Sequence, residues 1–96
     1  MLQPRIAADT VVVAAADQVS AGLDDEAVVL NLRSGSYHGL NEVGARVWQL
    51  LAEPRSVSSV ADAIVSEYDV DRTRCQADIL VLLEELLDQG LIEVRA

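Results

Sequence analysis

The 96-residue chain contains no lysine and no phenylalanine, and only one cysteine and one histidine. Each scarcity removes a class of function. A single thiol, Cys75, leaves no intrachain disulfide and gives secretion no support. Without lysine, the seven basic groups are all arginines. They face sixteen acidic groups, for a net charge of −9. Such a surface repels phosphate backbones, because nucleic-acid binding needs clustered cations. It suits a basic peptide or protein and keeps a domain dispersed. One histidine and one distant cysteine do not make the three or four ligands of a zinc site. No Gly-rich phosphate loop or carboxylate cluster at metal spacing is present, so neither metal nor cofactor is expected. No apolar run approaches the roughly 20 residues that span a bilayer. The opening MLQPRIAADT lacks the positive run and apolar stretch of a signal peptide. The expectation is a cytoplasmic domain with no membrane and no nucleic-acid partner.

Aromatics make up only 3% of a chain that is 51% hydrophobic, so the core must be built from Val, Leu, Ile and Ala. The length suits one small domain. Residues 1–10, with Pro4, read as an arm, and the β-branched run 11–13 as a short strand. Residues 19–23 alternate, with Val19, Ala21 and Leu23 on one side, before a charged turn at 24–26. In the next strand Val28, Leu30 and Leu32 point one way, Val29 and Asn31 the other. Ser34-Gly35 supplies a hairpin turn in which the glycine adopts a positive φ. Residues 36–40 return as the last strand of a three-stranded meander.

Three helices are expected after it. Asn41 caps the first, which runs to about Ala52 with Val43, Val47, Leu50 and Leu51 on one stripe and Trp48 at its edge. Gly44 falls on that stripe and implies a close backbone approach. Pro54 ends the helix. Ser56 caps the second, over 57–68. Asp71 caps the third, over 73–89, with its charge at the positive end of the dipole. Val70 and Cys75 are spaced as a hydrophobic staple, and Gly90 closes the helix. Residues 91–94 can add one short strand. The order gives an α+β domain of winged helix-turn-helix type, a three-stranded antiparallel sheet followed by three helices.

Two elements stand out as candidate sites. On the third helix Ile79, Leu82, Leu83, Leu86 and Leu87 form the core stripe; opposite lie Arg74, Ala77, Asp78, Val81 and Glu85. The plainer reading is a solvated face with one stray Val81. The sharper one is a groove wall, where Ala77 leaves room, Val81 meets apolar side chains and Asp78 or Arg74 fixes a polar group. Strand 36–40 ends the meander without the charge or proline that usually blunts an edge. It can accept an extended peptide by strand addition, unless the arm or residues 91–94 cover it. His38 and Cys75 lack the base and orienting partner of a nucleophile pair, and Cys75 reads as a small buried hydrophobe; the chain is not expected to be an enzyme. A DNA-reading helix is also unfavoured, since Asp78, Glu84, Glu85 and Asp88 outnumber Arg72 and Arg74.

The stretches VVLNLRSGSYHGLNEVGARVWQLL, EYDV and ADILVLLEELLDQGLIEV resemble the PqqD-like family, recognition elements for ribosomally made and modified peptides. The resemblance covers about residues 19–94. Its most specific part is the spacing of Gly35, Tyr37, Leu40-Asn41, Gly44 and Trp48, and its nearest branch is the stand-alone protein of lasso-peptide pathways. It implies an arm or short strand over 1–15 and a winged-helix leader-binding domain over 16–96. The leader of a precursor peptide would add as a strand beside residues 36–40, in the cleft with the third helix. The implied peptide-binding residues are Leu32, Ser36, Tyr37, His38 and Gly39 on the hairpin, with Arg74, Ala77, Asp78, Val81 and Leu82 on the helix. The implied partners are the leader, a leader peptidase and a cyclase. A PqqD-type chaperone serving a radical-SAM enzyme is the alternative, and a winged-helix transcriptional regulator a more distant one.

Overall fold

The computed structural model describes residues 5–23 and 26–95, so residues 24 and 25 of the expected turn at 24–26 and the first four residues of the arm lie outside the described residues. Its elements run β1 (Val11–Ala14), β2 (Gln18–Leu23), β3 (Glu26–Asn31), β4 (Tyr37–Leu40), α1 (Glu42–Leu50), β5 (Arg55–Ser56), α2 (Val57–Glu67), α3 (Arg72–Asp88) and β6 (Ile92–Arg95). The fold is α+β, with antiparallel sheets and three helices.

The helix ends follow from local chemistry. Asn41, Ser56 and Asp71 each accept a hydrogen bond from the amide three residues on, at 2.9, 3.1 and 2.9 Å, which satisfies one orphan donor of each first turn. At the end of α3, Gly90 takes φ +71°. Its amide donates to the Leu87 carbonyl and that of Leu91 to the Leu86 carbonyl, the paired bonds of a Schellman motif. The β3–β4 turn uses Gly35 at φ +76°.

The strands form two sheets rather than one. The expected meander is present in the order β2–β3–β4, and a second sheet has the order β5–β1–β6. A sheet followed by helices is therefore not the whole arrangement: strands also precede it, interrupt the helices and follow them. The run 11–13 becomes the central strand of the second sheet. Val12 pairs with Arg55 on one side and Val94 on the other. The arm is also held down. Ile6 is buried, and Arg5 bridges Glu84 and Asp88 at 2.9 and 2.6 Å. Glu84 is thus an anchor for the arm instead of part of a free solvated face.

Two local readings shift. Glu26, placed in the turn by its charge, is the first residue of β3 and pairs with Leu23; Leu32, placed on the strand, lies in the turn. On β3 the inward row is Ala27, Val29 and Asn31, while Val28 and Leu30 face outward. The core lies between this sheet, the second sheet and the helices. Leu51, Ile64, Leu83, Leu86 and Leu91 are each fully buried there, contributing about 1.5–3 kcal/mol apiece. Trp48, expected at the edge of its stripe, is also buried.

Candidate functional site: a groove between an open strand and a helix

Strand β4 pairs with β3 alone among the described residues. Among the described residues, both segments that were candidates to cover its far edge are engaged elsewhere, β6 against β1 and the arm, from Arg5 on, at Glu84 and Asp88. The Asn31 amide donates to the Ser36 carbonyl at 2.8 Å, which sets the alternation of the ladder. By that alternation His38 and Leu40 bond to β3, and Tyr37 and Gly39 turn their backbone N–H and C=O toward the open edge.

The edge opens onto a groove of about 700 Å³ between β4 and α3. Leu40, Val47, Ile64 and Ile79 line its apolar floor, and Val43 and Leu82 its apolar walls. Gly44 contributes a bare stretch of α1. A Cβ there would meet the Leu40 and Asn41 side chains at 3.3 Å, so the close approach expected at this glycine comes from the chain just before the helix. Val70 and Cys75, the expected staple pair, both face the groove, Cys75 buried and Val70 exposed. Asp71, Arg74 and Asp78 bring charge to the rim.

One end is closed by a polar rivet. His38 Nδ1 lies 3.0 Å from Gln89 Oε1, and His38 Nε2 lies 3.9 Å from the Glu85 carboxylate. Asn31, a buried polar residue, donates to the Gln89 carbonyl at 2.8 Å and accepts from the Arg33 amide at 2.9 Å. A Cβ on Gly90 would press within 3.0 Å of that Asn31 amide, so the end of α3 is locked against the β3–β4 turn.

Five of the ten sequence-predicted residues line this groove: His38, Gly39, Arg74, Asp78 and Leu82. The others lie outside its lining. Tyr37 is 72% exposed on the far face of the sheet, Leu32 is exposed in the turn, and Ser36 precedes the strand. Ala77 lines a separate hollow with Arg72, Thr73, Gln76 and Leu80, and Val81 is 61% exposed. The reason is helical phase. At 100° per residue Ala77 and Val81 lie roughly 100° and 60° away from Asp78, on the side remote from Cys75 and Ile79. The groove occupies the flank of the core stripe, not the face opposite it. Sequence reasoning passed over the floor residues, although Gly44 and Cys75, small residues on apolar stripes, carried a signal.

Burial, reinforced by Asp78, pushes the Cys75 thiol above its ordinary value, so at neutral pH it is a protonated wall group and a poor nucleophile. Among the described residues no cluster of His, Cys, Asp or Glu is placed to hold a metal ion, and no helix is long and apolar enough to cross a membrane. What the arrangement offers chemically is backbone hydrogen bonding along one edge, an apolar slot beside it and charge at the rim.

Comparison with known proteins gives a consistent result. The profile of the family described as Coenzyme PQQ synthesis protein D (PqqD) matches residues 26–92. Over 52 residues the chain is 29% identical to the PqqA binding proteins of Rhodopseudomonas palustris strains BisB5 and HaA2, covering 54% of this chain and 51% of each relative. The chain thus spans about half the length of the curated relatives it matches. Among solved structures, TbiB1 in complex with the TbiA(beta) leader peptide is 40% identical, with a TM-score of 0.79 over 88% of this chain and 98% of that one. Lasso peptide synthetase B1 complexed with the leader peptide is 33% identical, with a TM-score of 0.73 over 85% and 96%.

Proposed function

The chain belongs to the PqqD family, and from that premise we propose that it recognises the leader segment of a ribosomally made precursor peptide, of the lasso class, without itself catalysing a reaction. The observation that carries this reading is the open edge of β4 lying directly beside an apolar groove. An extended leader adds as a fourth strand to β2–β3–β4. Its main chain meets the outward groups of Tyr37 and Gly39, while alternate side chains drop into the groove toward Leu40, Val47 and Ile79. Main-chain bonds supply affinity with little regard to sequence. The slot and the rim residues Arg74 and Asp78 supply selectivity, with Asp78 assigned to a polar group of the leader such as a tyrosine hydroxyl. We read the overall form as a winged helix whose wing, the β3–β4 hairpin, has been given over to peptide. The acidic surface argues against the nucleic-acid use of such a form.

In this account the domain presents the precursor to a leader peptidase and then to a cyclase, all in the cytoplasm where the precursor is made. The PqqA binding relatives favour a second reading, a peptide chaperone for a radical-SAM maturation enzyme. The lasso reading is preferred because the leader-bound structures cover nearly the whole chain at higher identity.

The test is a fluorescence-anisotropy titration of labelled lasso leader peptide and labelled PqqA against wild type and Asp78→Arg. The expected result is saturable binding of the lasso leader that weakens at least tenfold in the variant, about 1.4 kcal/mol. Preference for PqqA would favour the second reading. Failure of either peptide to bind at high micromolar protein would contradict leader recognition itself.

A further inference from the structure

The sheet β2–β3–β4 has a second open edge, and a second hollow lies beneath it. Strand β2 pairs with β3 alone among the described residues, and it carries none of the charge or proline that blunts an edge. The register sets Ser20 opposite Val29 and Gly22 opposite Ala27, so both belong to the inward row. Val29 and Ala27 are buried there, but Ser20 and Gly22 are exposed. Helix α1 packs on β3 and leaves the inner side of β2 open. What remains is a hollow of about 360 Å³ between β2 and α1. Ala27, Ala45 and Trp48 supply its apolar part, Glu26, Glu42 and Arg46 its charge. A Cβ on Gly22 would meet nothing closer than the Glu26 carbonyl at 3.9 Å, so the space continues up to the strand. By ladder alternation Ser20 and Gly22 also turn their N–H and C=O toward the open edge. An antiparallel strand added here sets the two side chains opposite them, about 7 Å apart, over the hollow.

We infer that this edge takes an extended segment of a second protein that carries arginine or lysine at alternate positions. The inference stands apart from the leader-binding reading, because β2 and β4 are opposite edges of one sheet. Charge selects the occupant. Glu26 and Glu42 make no ion pair among the described residues, whereas Arg46 is engaged by Glu67 at 2.7 Å. Toward the other end of β2, Arg33 and Asp17 pair at 3.6 Å and balance each other. The hollow thus offers two unanswered carboxylates in a protein of net charge −9, and an incoming cation is favoured both in approach and at contact. The long stem of arginine or lysine suits such a wall: its methylenes lie against Ala45 and Trp48 while the head stays at the rim. A second copy fits less well. Its β2, QVSAGL, brings no cation to Glu26 and Glu42, and two chains at −9 each repel.

The test uses a short synthetic peptide alternating arginine and valine, blocked at both ends, and its glutamate–valine counterpart. Trp48, the one tryptophan of the chain, lies in the wall of the hollow, so its fluorescence follows binding without a label. Amide exchange by NMR locates the bound peptide. Wild type is compared with Gly22→Pro, which removes an outward donor on an edge strand where proline is tolerated. A second variant combines Glu26→Gln with Glu42→Gln and leaves the backbone untouched should the first fail to fold. The expected result is saturable binding of the arginine peptide alone, with exchange slowed at Ser20 and Gly22 and unchanged at Tyr37 and Gly39. Affinity should fall about tenfold in Gly22→Pro and about fivefold in the Gln pair. Saturating leader peptide should leave it within about twofold of its value without leader. No binding at high micromolar protein, equal binding of the glutamate peptide, or protection at Tyr37 and Gly39 instead overturns the inference. So does unchanged affinity in the folded variants. None of these outcomes touches leader recognition, which its own titration decides. A dimer in sedimentation that Gly22→Pro dissolves gives the edge to a second copy and also overturns the inference.

Discussion

The two three-stranded sheets use similar strands to opposite ends. In β5–β1–β6 the central strand is paired on both sides, one edge is only two residues long, and the other carries Glu93 and Arg95. Short length and charge are the usual ways to blunt an edge. In β2–β3–β4 the two edge strands read QVSAGL and YHGL, without Asp, Glu, Lys, Arg or proline, and the one histidine, His38, turns inward to Gln89. One sheet fastens the arm to the C-terminal strand and closes the fold; the other is left chemically able to take another strand. The difference teaches that the open edge is a property of this meander, not of a small domain short of material to cover it.

The same substitution should therefore do different things in the two sheets. Val12→Pro removes a ladder donor at a fully buried residue of a central strand. It should cost about 3 kcal/mol or more, read as a large drop in the urea midpoint and poor soluble yield. Gly39→Pro sits on an edge strand, where proline is tolerated. It should leave the urea midpoint nearly unchanged while weakening leader binding at least tenfold, about 1.4 kcal/mol. Equal damage to stability from both would break the comparison.

A smaller effect sharpens it. Arg46 joins α1 to Glu67 of α2 at 2.7 Å, outside the lining of the β4 groove, and that hydrogen bond holds the Glu67 carboxyl below its ordinary value. A depressed carboxylate stabilises the fold above the usual carboxylate range, and the contribution disappears as pH falls through the folded value. Arg46→Gln should flatten the acid limb of the stability curve slightly, most visibly at low salt, and leave leader affinity alone.

The legible parts of the chain were those whose signals are local. Asn41, Ser56, Asp71, Gly35 and Gly90 act within a few residues of themselves, so caps, hairpin turn and helix end could be read directly. The second sheet was not legible, because β1 finds its partners at Arg55–Ser56 and Ile92–Arg95, distances over which no periodic pattern speaks. Nor did alternation reveal which row of β3 is buried, since Val29 on one side and Val28 and Leu30 on the other are equally apolar. At the site, the sequence pointed to an edge strand and the helix beside it and to the α3 face opposite the core stripe, whereas the groove lies on that stripe's flank. Arg74, Asp78 and Leu82 line it because they straddle the boundary; Ala77 and Val81 lie outside its lining. The α1 floor was hidden because residues that line a slot and residues that fill a core have the same composition.

The most direct measurement is amide hydrogen exchange, resolved by NMR, before and after adding leader peptide. Ladder alternation turns the amides of Tyr37 and Gly39 toward the open edge of β4, and those of Ser20 and Gly22 toward the open edge of β2. Strand addition at the groove should slow exchange at Tyr37 and Gly39 at least tenfold and leave Ser20 and Gly22 as they were. Protection at Ser20 and Gly22 instead, or a saturated complex in which Tyr37 and Gly39 still exchange freely, would contradict the account.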